Sequence, residues 1–548
     1  MRGNVLLSAD ATPKLTGEAR SDTEGRIGET YAWYATGVLA LVYVLNFVDR
    51  QIISILAEDI KRDLHVTDAQ LGFLYGTAFA IFYALFGIPF GMLADRWRRS
   101  RLIAMGLVVW SSMTFVSGFA VNFLQLALAR VGVGVGEATA SPAAFSMLGD
   151  YFPRERRALA ASVYSSGLYL GMGLSLPIGG WIAQTWNTRY AAGGAPLGLA
   201  GWQAAFLVVG LPGLAMSLWV LKLREPVRGA RDGAPRPLVT PGAGRLFLAD
   251  LAAILPPLTL WSVARERGML VVNLIVAILI AAIAVLLSTL IGDAPQWIAY
   301  GIAVYAVFSW TQLIKVTDRP IYTLIWGEPK MLVAIIAFGS LSIFVYSYGF
   351  WVAPYAIRTF GVSKAIAGLE LGIPGALASA VGVLIGGRLS DLWKGRDPRG
   401  RIYMCMLALA LPLPLLLWMF TTTHYEAYRA ISPAIYLVSS SWVGSAVAGY
   451  QDLVLPRMRG LAGSTYLLGA TMVGLAIGPY VTGKVATVTG SLQAGVFTLF
   501  VMAPVSLLLL GLTARWAPGL EASKFDRARA AGEPDVAGQL APLPKKSR

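Results

Sequence analysis

The chain has 548 residues, 56% of them hydrophobic and only 14% charged, with a formal net charge of +15. Soluble proteins average ~45–50% apolar and ~25% charged residues, so this composition excludes an ordinary soluble domain and suits a surface that faces lipid. The positive charge falls in short clusters between apolar runs, as at Arg96, Arg98, Arg99 and Arg101, which is a topology signal and argues against a nucleic-acid partner.

Residues 1–30 are polar without an apolar core, so they read as an N-terminal tail and not as a cleavable signal peptide. A membrane-spanning helix needs ~20 mostly apolar residues. Such runs occur near about 31–57, 70–93, 101–121, 123–148, 157–186 and 201–223, giving a six-helix bundle over 31–224. Residues 225–330 form a central linker. It holds a polar stretch, an interfacial segment at 245–262 interrupted by Pro256 and Pro257, and two extra spans near about 268–292 and 296–316. Six further runs make a second bundle over 331–516, and 517–548 reads as a polar, disordered tail. The fold class is therefore an all-α membrane protein of about 14 spans, two six-helix bundles with two additional helices between them. The extra pair is expected to pack peripherally, away from substrate. Lys and Arg concentrate in the loops that share a side with the N-terminus, which predicts cytoplasmic N- and C-termini.

The sequence repeats itself. Gly91-Met-Leu-Ala-Asp95-Arg96-Trp-Arg98-Arg99 follows the second run, and Gly387-Arg-Leu-Ser-Asp391-Leu-Trp-Lys394 follows its counterpart in the second bundle. Internal repeats of this kind build many secondary transporters. The pattern resembles the cytoplasmic loop motif of the major facilitator superfamily, a fold of two six-helix bundles. That resemblance implies that Gly91 and Gly387 permit close helix packing. It also implies that Asp95, Asp391, Arg96 and Arg99 form a conformational lock.

A narrower resemblance rests on Asn46-Phe-Val-Asp49-Arg50, on Arg130-Val-Gly132-Val-Gly134-Val-Gly136-Glu137, and on Gln451-Asp-Leu-Val-Leu-Pro456-Arg457 with Gly478-Pro479. Together these look like the Spinster family of facilitators. Two departures stand out: the inserted helices, and Lys484 where an acidic residue is expected.

Ionised groups near the bilayer centre cost on the order of 2.5–3.5 kcal/mol. Asp49 and Arg50 lie about 12 Å from the outer end of the first span at 1.5 Å per residue, and Arg130 and Glu137 share a face of the fourth. If those spans line one cavity, two acids and two bases meet and balance. They then either couple protons to an anionic substrate or form permanent salt bridges that orient helices. Tyr164, Tyr169, Tyr346, Tyr348, Trp351 and Gln451 are possible cavity residues, and the same aromatics equally serve as helix packing. Glu370 sits near a helix start.

Cys405 is the single cysteine, and His65 and His424 fall in predicted loops. No cofactor, metal or catalytic cluster is expected. Gly478-Pro-Tyr-Val-Thr-Gly483-Lys484-Val485 fails the P-loop pattern at its last position and lies in an apolar run. The expected function is a monomeric secondary transporter in the bacterial plasma membrane, not an enzyme. Its partners are protons, the lipid bilayer, and an organic anion or a lysolipid- or sphingolipid-like amphiphile. The alternative is a proton symporter for a small organic or sugar acid.

Overall fold

The computed structural model describes residues 27–229, 237–260 and 267–533. The N-terminal tail to residue 26, the end of the interfacial segment at Trp261 and Ser262, and residues 534–548 lie outside them. Thirteen helices among the described residues are long and apolar enough to cross a membrane. The first three are α1 (Glu29–Leu64), α2 (Asp68–Ala94) and α3 (Arg99–Ser117).

The next expected span is not one helix. α4 is built of two shorter pieces, Phe123–Glu137 and Ala140–Tyr151. Pro142 explains the break: it has no N–H for the Ala138 carbonyl, and its ring crowds that oxygen. Asn122 opens α4 by accepting the Gln125 backbone N–H at 2.9 Å. At the turn before α2, Thr67 and Gln70 form a reciprocal capping box, after His65 closes α1 in the left-handed conformation. The first bundle ends with α5 (Glu155–Arg189) and α6 (Gly201–Leu221).

The linker carries a short helix, α7 (Ala243–Ile254), within the segment expected at the interface. Asp250 on it pairs with Arg96 at 2.5 Å, and Phe247 stacks on Phe90. Then come α8 (Gly268–Leu290) and α9 (Ala294–Thr317). The second bundle comprises α10 (Pro329–Phe360), α11 (Lys364–Lys394), α12 (Gly400–Thr421), α13 (Tyr425–Gln451), α14 (Pro456–Thr489) and α15 (Leu492–Ala530).

Two expectations are corrected. Residues 517–530 are not a disordered tail: α15 continues through them. The extension is held by Glu521 on Lys394, Lys524 on the Asp452 carbonyl, and Glu533 on Arg457. The extra pair is only half peripheral. α8 exposes Val271, Ile275, Ile278 and Ile283, but α9 packs Ala303, Ala306, Trp310 and Ile314 against Ile81 and Leu85 of α2 and Leu468 and Met472 of α14. It thus covers the flank where the two bundles meet.

The bundles touch at the face remote from the termini, here called the far face. Glycines let backbones approach there. A Cβ on Gly76 would sit 2.4 Å from the Leu475 carbonyl, and one on Gly368 would sit 2.5 Å from the Leu176 carbonyl. Rim ion pairs join the halves on the same face: Arg358 with Glu58 at 2.7 Å and with Asp68 at 2.8 Å, and Lys364 with Asp59 at 2.6 Å.

Candidate functional site

α1 and α4 bring the four membrane charges into one neighbourhood, all at most 5% exposed. Close packing makes this possible. Gly134 stands where a Cβ would meet the Phe79 carbonyl at 2.5 Å, and Gly136 where it would meet the Trp110 nitrogen at 2.6 Å. The alternating glycines thus draw α4 against α2 and α3.

The charges do not form two symmetric pairs. Arg50 donates from Nε at 3.2 Å and from Nη2 at 2.6 Å to one oxygen of Glu137, and Nη2 also reaches Asn46 Oδ1 at 3.4 Å. Its guanidinium lies over Phe79, Phe47 and Tyr83, at 4.2, 4.5 and 5.1 Å from the ring centroids, a favourable placement for a cation in a dry site. Its Nη1 makes no hydrogen bond among the described residues. Arg130 makes no ion pair with either acid among the described residues. Its Nη1 and Nη2 donate to the backbone carbonyls of Asp49 and Arg50 at 3.1 and 3.3 Å. It therefore pins α1 in place and is not a free anion binder. The Asp49 carboxyl faces inward among Trp110 and Thr114, whose Nε1 and Oγ1 are buried without a partner of good geometry. The second oxygen of Glu137 and Nε of Arg130 are unpartnered too. Buried polar atoms left in this state are costly, and they gather around Asp49 and Glu137 inside the first bundle.

The loop-motif residues part company. Arg99 is fully buried on the terminal face. It bonds Asp150, Glu225 at 2.9 Å, and the carbonyls of Ser146 and Pro226 at 3.1 and 2.9 Å. Burial pushes the Glu225 carboxyl up, but the Arg99 guanidinium and the N–H groups of Ser100 and Arg99 outweigh it and leave it below its ordinary range. Asp95 is exposed and closes α2; its backbone carbonyl accepts from Arg228, and its carboxylate makes no hydrogen bond among the described residues. Asp391 pairs with Arg401 at 3.0 Å while largely exposed. Gly91 and Gly387 are not close-contact positions here. A Cβ on Gly91 would meet only Pro142 at 3.8 Å, and one on Gly387 would meet nothing within 4 Å. The repeat nevertheless has a structural counterpart: Arg99 binds Asp150 and Arg401 binds Asp452, each pair separated by 51 residues.

Among the possible cavity residues, Tyr169 and Tyr346 are half-buried. Tyr164 is packed, stacked on Tyr43 with centroids 4.5 Å apart. Trp351 is fully buried and donates to the Pro479 carbonyl at 3.1 Å, a helix-packing contact within the second bundle. Tyr348 is likewise buried, bonded to Ser432. Gln451 reaches the Arg459 carbonyl at 3.3 Å and closes the α13–α14 loop. The sequence pattern includes Asn46 only as part of its motif and gives no sign of Phe79 and Tyr83. Asn46 was legible as a polar residue one turn before Arg50; the two rings carried no signal of their own.

The family model for the Major Facilitator Superfamily matches residues 39–469. The chain belongs to that superfamily. It is a multi-pass membrane transporter, not an enzyme. It is 28% identical over 466 residues to an MFS-type efflux pump of Mycolicibacterium smegmatis, covering 85% of this chain and 87% of that protein. It is 30% identical over 198 residues to the hexuronate transporter of Bacillus subtilis, covering 36% of this chain and 43% of that protein. Its fold matches the crystal structure of a bacterial homologue of the human lysosomal transporter Spinster with a TM-score of 0.65. That match has 23% identity and covers 91% of this chain and 99% of the other. The transporter thus resembles the Spinster proteins in both motifs and fold.

Proposed function

We propose that this transporter moves an organic anion with an apolar body, of the lysolipid or sphingolipid type, by proton-linked alternating access across the bacterial plasma membrane. It acts as a monomer with both termini in the cytoplasm. The observation that carries the reading is Arg50. One edge of its guanidinium, at Nη1, has no hydrogen-bond partner among the described residues, and the rings of Phe47, Phe79 and Tyr83 lie around it. A single anionic group fits that edge, and the rings suit an apolar chain better than a polyol. Glu137 competes with the substrate anion for Arg50, so protonation of Glu137 frees the cation, and an anion held by Arg50 in turn favours the protonated Glu137. Asp49 supplies a second carboxyl one residue away. Asp95, Asp391, Arg96 and Arg99 organise the terminal-face loops during the change of state. The basic loops on that face support its cytoplasmic placement.

The second reading, a proton symporter for a small organic or sugar acid, is favoured by the similarity to the hexuronate transporter. A thermal-shift screen at two pH values separates the two. A ligand that binds only the folded state adds RT ln(1 + [L]/Kd), about 2.7 kcal/mol at a hundredfold excess over Kd. Stabilisation by lysolipids or sphingoid amphiphiles, abolished by Arg50→Ala and Glu137→Gln, is expected. Stabilisation by small acids alone would refute the amphiphile reading.

A further inference from the structure

Helix α10 contains a proline in its interior, Pro354. A proline has no N–H to give to the carbonyl four residues earlier, and its ring crowds that carbonyl. The orphaned oxygen is that of Phe350. In a membrane protein such a group has to find a partner within the protein. Here the partner comes from the other bundle. Ser54 of α1 donates its hydroxyl to the Phe350 carbonyl at 2.5 Å, and Gln51 of α1 donates Nε2 to the adjacent Gly349 carbonyl at 2.8 Å. Gln51 is in turn held by the Tyr75 hydroxyl at 2.8 Å, and the Tyr75 ring stacks on Phe350 with centroids 4.5 Å apart. Ser54 is fully buried and Gln51 is 3% exposed.

Successive side chains on a helix point about 100° apart. Asp49, Arg50 and Gln51 consequently face three directions: Trp110 and Thr114 of the first bundle, Glu137 of α4, and the opposite bundle. We propose that Gln51 and Ser54 are positioning residues that latch the far face shut, Ser54 on the Phe350 carbonyl orphaned by Pro354 and Gln51 on the Gly349 carbonyl beside it. They tie that closure to the same turn of α1 that carries Asp49 and Arg50. A rotation of α1 that accompanies a change at Asp49 or Arg50 withdraws Gln51 and Ser54 from α10. Water admitted by the opening then hydrates the two carbonyls, so release is reversible. The latch requires no particular substrate and stands apart from the choice between amphiphile and small acid.

The test is a distance measurement between spin labels at Val121→Cys and Thr423→Cys, exposed positions on far-face loops of the two bundles. Cys405 is fully buried and is left in place. The measurement is made in lipid nanodiscs on an Arg358→Glu background. Loss of the rim pairs to Glu58 and Asp68 raises the far-open fraction there. Ser54→Ala is expected to raise the open-to-closed ratio about fivefold, the size of one net hydrogen bond, and Gln51→Leu to act in the same direction. Pro354→Ala supplies α10 with its own N–H, so adding Ser54→Ala to it is expected to change the ratio by less than twofold. An unchanged ratio in Ser54→Ala, or an effect of the same size with and without Pro354→Ala, would overturn the latch.

Discussion

Replacing Glu137 by glutamine keeps the length of the side chain and an oxygen acceptor for Arg50. It deletes the anion that sits 2.6 Å from a guanidinium whose side chain is 7% exposed. Breaking a buried pair by removing one partner costs about 3–5 kcal/mol. The retained hydrogen bond restores about 1 kcal/mol, and the rings at 4.2 and 4.5 Å about another. The net loss is then about 2 kcal/mol. Arg50→Met breaks the same pair from the other side and leaves Glu137 alone. A carboxylate can neutralise itself by taking a proton, whereas a guanidinium cannot lose one. The two variants therefore diverge with pH: Arg50→Met regains stability on acidification and Glu137→Gln does not. Thermal unfolding followed by tryptophan fluorescence, at pH values near neutrality and about two units below, reads both effects as shifts of a few degrees. A Glu137→Gln protein that melts with the wild type, or an Arg50→Met protein that loses ground as pH falls, would refute the pairing as the energetic centre of the site.

Gly134→Ala places a Cβ 2.5 Å from the Phe79 carbonyl and has to part α2 from α4, a loss of about 1–3 kcal/mol. Gly87→Ala, with nothing within 4 Å, is the matched control and is expected to melt at or above the wild type. Glu225, held below its ordinary range by Arg99, stabilises the terminal-face hub at pH above the usual glutamate range. That contribution fades as pH falls through its lower folded value. Amide exchange of Arg224–Gly229 is expected to accelerate only under acid conditions, and Glu225→Gln to erase the pH dependence. Lys484 and Asp293, 2.7 Å apart and about a quarter exposed, are expected to contribute at most about 1 kcal/mol. Lys484→Met and Asp293→Asn combined should melt no lower than either alone.

Architecture was legible in the sequence because apolar runs, basic loops and the Gly–Leu–Asp repeat are all local signals. The meeting of Arg50 with Glu137 was also foreseeable, since both are charges that lipid cannot solvate. Their pairing scheme was not. Arg130 chose the carbonyls of Asp49 and Arg50 over either carboxylate, a matter of helix rotation that spacing does not specify. Lys484 looked anomalous because its partner is Asp293 in the turn of the inserted hairpin, far away in sequence. α9 was expected at the periphery because its length and apolarity fit lipid. Gln296, with its Oε1 2.6 Å from the Thr77 hydroxyl oxygen, and Trp310 against α2 show a helix built for a protein flank. The end of α15 was misjudged because its polar residues suggested solvent, when they serve as partners for Lys394 and Arg457.

The ion pairs are arranged differently on the two faces, and the arrangement bears on how the seam opens. On the far face Arg358 and Lys364 of the second bundle reach Glu58, Asp68 and Asp59 of the first. On the terminal face Arg99 binds Asp150 and Arg401 binds Asp452, each inside its own bundle. The cross-bundle pair of Arg358 and Glu58 is 27% and 21% exposed, so water can replace much of what separation removes, and such pairs contribute little each. A transporter that changes state needs its two forms within a few kcal/mol of each other. A continuous apolar seam would exceed that at about 25 cal/mol per Å² of buried surface. Backbone contacts at Gly76 and Gly368, a neutral latch on a proline-exposed carbonyl, and the partly exposed Arg358–Glu58 pair are each weak and each recoverable by water, while Asp68 and Asp59, 4% and 3% exposed, hold the rim more firmly. Together they close the far face without locking it.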